Sequence, residues 1–242
     1  MATEEVLILA VTKMLSGICT AGFSCKRAPT TGLCWIRPVR EFDTLLPGDM
    51  CDDDGHLIRC GDVVELALVR PRPETPHTED WIADFVRHRP RVVRRLQGQK
   101  RAEFFPKYLD GAPEEVLVEH RRSLCLVQPA DMWVRFSLDA RTGRYEAHME
   151  LTLLGGMEPP GARSRYGLSI TDLKFRALGR AWLGAQGGVL ELGRDELAER
   201  LEAEAFYLTM GLSRSWQGEY WPLVHAVHVV PDYAADIQLN CL

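Results

Sequence analysis

The chain has 242 residues, 46% of them hydrophobic and 26% charged, with a formal net charge of -5. That balance provides apolar material for a packed core and excludes a disordered polyelectrolyte, and a net acidic protein is not an indiscriminate binder of nucleic acid. The length allows one large domain or two of ordinary size. Glu4 and Glu5 stand where a secretory leader would carry Lys or Arg, and Lys13 interrupts the first apolar run. No later segment approaches the ~18 apolar residues of a spanning helix. Seven cysteines without a C-x-x-C argue against a disulfide framework and a zinc ribbon. The expected location is the cytoplasm, with no membrane partner.

Residues 6–14 are β-rich and apolar and predict a buried first strand; punctuation at Gly17, Gly22 and 28–32 leaves strands near 18–24 and 33–39. The tract Asp52 to Gly55 fails as a calcium loop, because Met50 and Gly61 fall where acidic ligands are needed, and reads as a turn. A strand follows over 60–69. Thr75 as cap, Pro76 at the first position and Glu79 with Asp80 in the first turn predict a helix burying Trp81, Ile82 and Phe85. Short helical pieces and loops are expected through the basic stretch Arg87 to Lys107, which holds eight Lys or Arg against Glu103 alone. A strand over 124–128 and a hairpin of 132–138 with 144–153 come next, then an exposed loop carrying Arg163 and Arg165 and a strand over 166–171. Residues 172–182 suit helix or strand. A helix over 195–205 capped by Asp195 precedes closing strands at 206–210 and 223–230.

Two stretches repeat a pattern. Trp35-Ile36-Arg37 and Trp133-Val134-Arg135 each place an indole and a guanidinium two positions apart on one face of a strand. A ring beside a planar cation suits stacked bases and phosphates, and equally a cation–π pair that only covers a neighbouring loop. Leu9 to Thr12 also resembles Leu168 to Thr171, at a different offset, so a simple tandem repeat does not explain both.

No catalytic constellation is evident. His77-Thr78-Glu79 matches half of a zinc deaminase signature and lacks the P-C-x-x-C half. His225 and His228 lie three apart in a predicted strand, on opposite faces. No nucleophile elbow, phosphate loop or dinucleotide fingerprint occurs, and no cysteine has a neighbour that singles it out.

Four segments carry a resemblance: Val11-Thr-Lys-Met14 with Gly17 to Phe23, Trp35-Ile-Arg-Pro38, Pro76-His-Thr-Glu-Asp80, and Gly211 to Trp216 with Val230-Pro-Asp-Tyr233. Over nearly its full length the chain is similar to a bacterial family of dual OB-domain proteins. The resemblance implies two OB-type barrels and nucleic-acid recognition beside genome-defence genes, and supplies no catalytic residues. The expected fold is mainly β with interspersed helices (α+β), as two small barrels packed together, the first over 1–112 and the second over 113–242. The expected function is non-catalytic binding of single-stranded nucleic acid, DNA or RNA, without a cofactor or metal. Trp35 and Trp133 would stack on bases and Arg37, Arg40 and Arg135 would hold phosphates. Arg87, Arg89, Arg91, Arg94 and Arg95 would form an electrostatic flank. The alternatives are an adaptor that binds a protein partner through the same side chains, and a sensor or enzyme for a small nucleotide.

Overall fold

The computed structural model describes residues 2–14, 17–26, 34–42, 44–52, 54–160 and 164–237; the 28–32 stretch and Arg163 lie outside them. The apolar first run forms β1 (Ala2–Lys13), long enough to serve two neighbours. Its first half pairs with β4 (Asp62–Pro71) and its second half with β2 (Ile18–Ser24), both antiparallel. A bulge between Ile8 and Ala10 bends the strand from one partner to the other. Gly22 lies where β2 crosses closest to β1, and a side chain there would collide with the Leu7 carbonyl. β2 pairs with β3 (Trp35–Val39), β3 pairs in parallel with β5 (Asp80–Ala83), and β5 returns to β4. The circuit β1-β2-β3-β5-β4-β1 is a closed barrel of OB topology. It encloses Val6, Ile8, Ile36, Val64 and Leu66. β6 (Arg91–Arg95) extends it along β4.

The helix predicted from Thr75 is not formed. Residues Glu74 to His77 make a bridged turn, and Asp80–Ala83 is β5, laddered on both edges. Over four residues the apolar pattern of Trp81, Ile82 and Ala83 fits a strand as well as a helix, and two ladders outweigh a favourable first turn. The basic stretch likewise contains a strand, β6, ahead of α1 (Gly98–Lys107) and the short α2 (Glu114–Leu117).

The second half repeats the first circuit with different punctuation. β7 (Leu124–Val127) runs through Gln128 into β8 (Pro129–Leu138), so together they act as one long first strand. β8 pairs with β9 (Tyr145–Leu153), as the predicted hairpin, and β9 pairs with the short β10 (Leu168–Ser169). A parallel bridge from Ile170 to Val224 leads to β13 (Pro222–Val230), which pairs with β12 (Ala205–Leu212), and β12 returns to β7. Between the third and fourth strands lie α3 (Leu173–Leu183), β11 (Gly188–Gly193) on the outer edge of β8, and α4 (Arg194–Leu201). Residues 172–182 resolve as helix because Asp172 caps the N–H groups of Lys174 and Phe175. The predicted cap at Asp195 is displaced: Gly193 is the cap, with Glu196 accepting its N–H.

Each barrel has its own core, and a third apolar cluster joins them. Leu7, Leu9, Ala21, Phe23 and Val63 on the outside of the first barrel meet Leu124, Leu126, Tyr207 and Ala226 on the outside of the second, with Phe105 of α1 between them. The strands in this seam are therefore apolar on both faces, which accounts for the near-continuous burial of β1, β7 and β12. Among the described residues no helix is long and apolar enough to cross a membrane.

Candidate nucleic-acid interface

Trp35 and Arg37 share one face of β3, as the alternation predicted, and that face is the seam. Trp35 is 9% exposed, with its ring 4.3 Å from Phe23 in an edge-on contact and in the same cluster as Phe104 and Tyr108. Arg37 is 4% exposed: its guanidinium lies 2.9 Å from Glu79 and 2.5 Å from Asp80, and reaches Ser123 of the second barrel at 3.4 Å. The Ser123 hydroxyl donates to Glu79 in turn. Burial opposes the charge on Arg37, and Glu79 and Asp80 more than offset it. Burial likewise raises the Glu79 carboxyl, against the pull of Arg37. Neither Trp35 nor Arg37 is open to a nucleic acid; both tie the barrels together. The two Trp-x-Arg copies are not equivalent either, since Trp35 lies on the third strand of its circuit and Trp133 on the first.

The same lock brings two loops together. In each barrel a compact turn joins the fourth strand to the fifth, 72–79 in the first and 213–221 in the second, closed by bridges Glu74–His77 and Trp216–Glu219. The turns touch one another. Tyr220 donates to the Thr75 carbonyl at 3.4 Å, its ring centroid is 5.8 Å from that of His77, and Arg214 pairs with Asp80 at 2.7 Å. His77 is held at a pKa of about 3, by burial and then by Arg37 and Arg214, so it is neutral at pH 7. His225, hydrogen-bonded to Thr171 at 3.0 Å, is likewise lowered to about 3 by burial and by Arg37. Beside the joined loops opens a cleft of about 610 Å³, lined by Arg40, Phe42, Arg72, Glu74, Asp80 and Arg214 among others. Phe42 is 80% exposed, Trp216 on the adjoining loop is 56% exposed, and Arg72 donates to the carbonyls of Arg40 and Glu41.

A family model described as the Dual OB-containing domain matches residues 4–227. The chain belongs to this family. A search of curated proteins and of solved structures finds no match. OB folds as a class hold oligonucleotides and oligosaccharides on the face of strands two and three and on the loops joining strands one to two and four to five. In this dual OB-containing domain the two strand-four-to-five loops form one surface.

The remaining predicted residues fall on three other surfaces. Arg40 lies in the loop-end cleft, paired with Asp49 at 2.7 Å. The basic flank is exposed along β6 and the turn before it, and three of its five arginines are matched by acids of the first barrel. Arg91 meets Glu65 at 3.3 Å, Arg94 meets Glu5 at 2.6 Å and Arg95 meets Asp62 at 2.5 Å. Arg87 and Arg89 have no ion pair among the described residues. On the second barrel Trp133 is 46% exposed and packs against Gly193, in a cleft of about 680 Å³ that also contains Asp131, Glu150, Glu158, Asp195 and Glu196. Arg135 stacks on Tyr166 at 3.9 Å and pairs with Glu191 at 3.2 Å. Sequence reasoning missed Phe42, Arg72, Arg214 and Trp216. The signal was the density of Arg214, Trp216, Tyr220 and Trp221 in one short connector, which is more than a connector needs.

Proposed function

We propose that this chain is a binding module that holds single-stranded nucleic acid across the loop end shared by its two barrels. The observation that carries the proposal is the convergence of the two strand-four-to-five loops, with exposed Phe42 and Trp216 and the arginines Arg40, Arg72 and Arg214 around them. The rings are free to stack on bases, and the arginines supply phosphate donors from both barrels. Arg87 and Arg89 lengthen the positive field on the first barrel. The reading is tested by fluorescence anisotropy with labelled single- and double-stranded DNA and RNA at two salt concentrations. Single strands bind with a marked salt dependence, and Trp216→Ala and Phe42→Ala each weaken binding by roughly tenfold, about 1–3 kcal/mol per stacked base. Equal affinity of both variants and the parent would remove the loop end from consideration.

The acidic rim of the Trp133 cleft favours a second reading of that surface, as the seat of a protein partner. Five carboxylates against Arg165 and Arg194 leave the lining of this cleft net negative, which disfavours a phosphate backbone. Trp133→Ala therefore leaves oligonucleotide affinity within about twofold of the parent, whereas a stacking platform would lose about 1–3 kcal/mol.

A further inference from the structure

A second cleft, of about 730 Å³, opens at the seam on the side of α3 and shares no residue with the loop-end cleft. Three cations converge on it: Lys13 at the end of β1, and Arg176 and Arg180 one turn apart on α3. None of the three has an ion pair among the described residues, and the one carboxylate in the lining is Asp236. Arg176 is fixed from behind, donating to the carbonyl of Ile170 at 3.0 Å and of Tyr145 at 3.4 Å. Arg176 and Arg180 flank the Tyr145 ring at 4.8 and 5.6 Å, and the Tyr145 hydroxyl is spent on the Arg176 carbonyl. The rest of the wall is mainly apolar, with Ala177, Ala181 and Ala234 beside Leu138, Leu178 and Ile237.

We propose that this cleft is an anion site for a phosphate oxyanion, with Lys13 and Arg180 as its donors and Arg176 as a fixed positive wall. Cations that only covered Tyr145 would not require a third charge from the other barrel. Burial lowers the Lys13 ammonium, and Arg176 and Arg180 lower it further; burial and Arg180 likewise lower Arg176. Positive charge is gathered here at a cost that a bound anion relieves. The volume is that of a site for a small organic ligand, and the alanine wall accepts an apolar or aromatic body. A free nucleotide and a nucleic-acid backbone both present the required group.

The test is isothermal titration of the full chain with ADP, pyrophosphate and unphosphorylated adenosine, alongside anisotropy with a labelled oligonucleotide. Arg176 is avoided because its backbone bonds make it part of the fold. Phosphate-bearing probes bind and adenosine does not, and Lys13→Ala and Arg180→Ala each reduce affinity by about tenfold, the loss of one charge-assisted bond. Trp216→Ala leaves ADP binding intact, which separates this site from the loop end. Should the two cation variants weaken only the oligonucleotide, the phosphate belongs to a strand; should they weaken ADP, it belongs to a free nucleotide. Variants that match the parent with every probe, the oligonucleotide included, overturn the proposal.

Discussion

Replacing Arg37 by Met removes the charge at the centre of the seam and roughly preserves its volume. The carboxylates it leaves behind are unequal. Asp80 keeps Arg214 at 2.7 Å, whereas Glu79, 6% exposed, keeps the Ser123 hydroxyl but no cation among the described residues. Stranding a buried charge costs about 3–5 kcal/mol, and Glu79 bears most of that loss. Glu79→Gln in the same chain still accepts the Ser123 hydroxyl without a charge, so Arg37→Met/Glu79→Gln is more stable than Arg37→Met alone. The assay is urea unfolding followed by circular dichroism at pH 7, with the urea slope checked for constancy. The deficit of the single variant relative to the parent also shrinks as pH falls, because Glu79 freed of Arg37 takes up a proton more readily folded than unfolded. A loss below about 1 kcal/mol, typical of an exposed pair, would refute the assignment of Arg37 to a buried lock.

Two further outcomes follow from the interior. His77 and His225 have pKa values lowered from 6.5 to about 3, so the unfolded chain protonates first, and each removes about 1.4 kcal/mol of stability per pH unit as pH falls below about 6.5. Asp172, raised by burial to about 6, acts oppositely below that pH, so histidine loss dominates; unfolding at pH 7.0 and 5.5 checks this, with a shallower slope for His225→Gln. Gly179→Ala, favourable in an exposed helix, is destabilising here by about 1–3 kcal/mol, because its methyl would enter the Phe136 ring of the second core, as thermal unfolding will show.

The strands were legible wherever apolar and polar residues alternate, as in the 132–138 and 144–153 hairpin. The ring-and-guanidinium geometry of Trp35 and Arg37 was legible as well. What covers that face was not, since alternation reports that two side chains share a side and is silent on whether solvent or a second barrel lies against it. The carboxylates that neutralise Arg37 stand more than forty residues away, at Glu79 and Asp80, where they looked like first-turn helix residues. The same limit applies to the basic run, whose matching acids Glu5, Asp62 and Glu65 come from β1 and β4. The loop-end cleft depends on both circuits closing, so its residues are adjacent only in the folded chain.

Asp80 belongs to the fold through one oxygen and to the loop end through the other. Arg37 holds Oδ1 within the seam, and Arg214, with a side chain 43% exposed, holds Oδ2 from the second loop. In the proposed complex a phosphate at the loop end competes with Asp80 for Arg214 alone, so the loop can change partner while the seam stays closed. Arg214→Met therefore costs less than about 1 kcal/mol of stability, since the pair it breaks is open to solvent on one side. It nevertheless reduces the salt slope of single-strand binding by about 1, the contribution of one phosphate contact. Unfolding and anisotropy on the same sample separate the two effects. A stability loss as large as that of Arg37→Met, with the salt slope unchanged, would place Arg214 in the lock and leave the loop end without its donor from the second barrel.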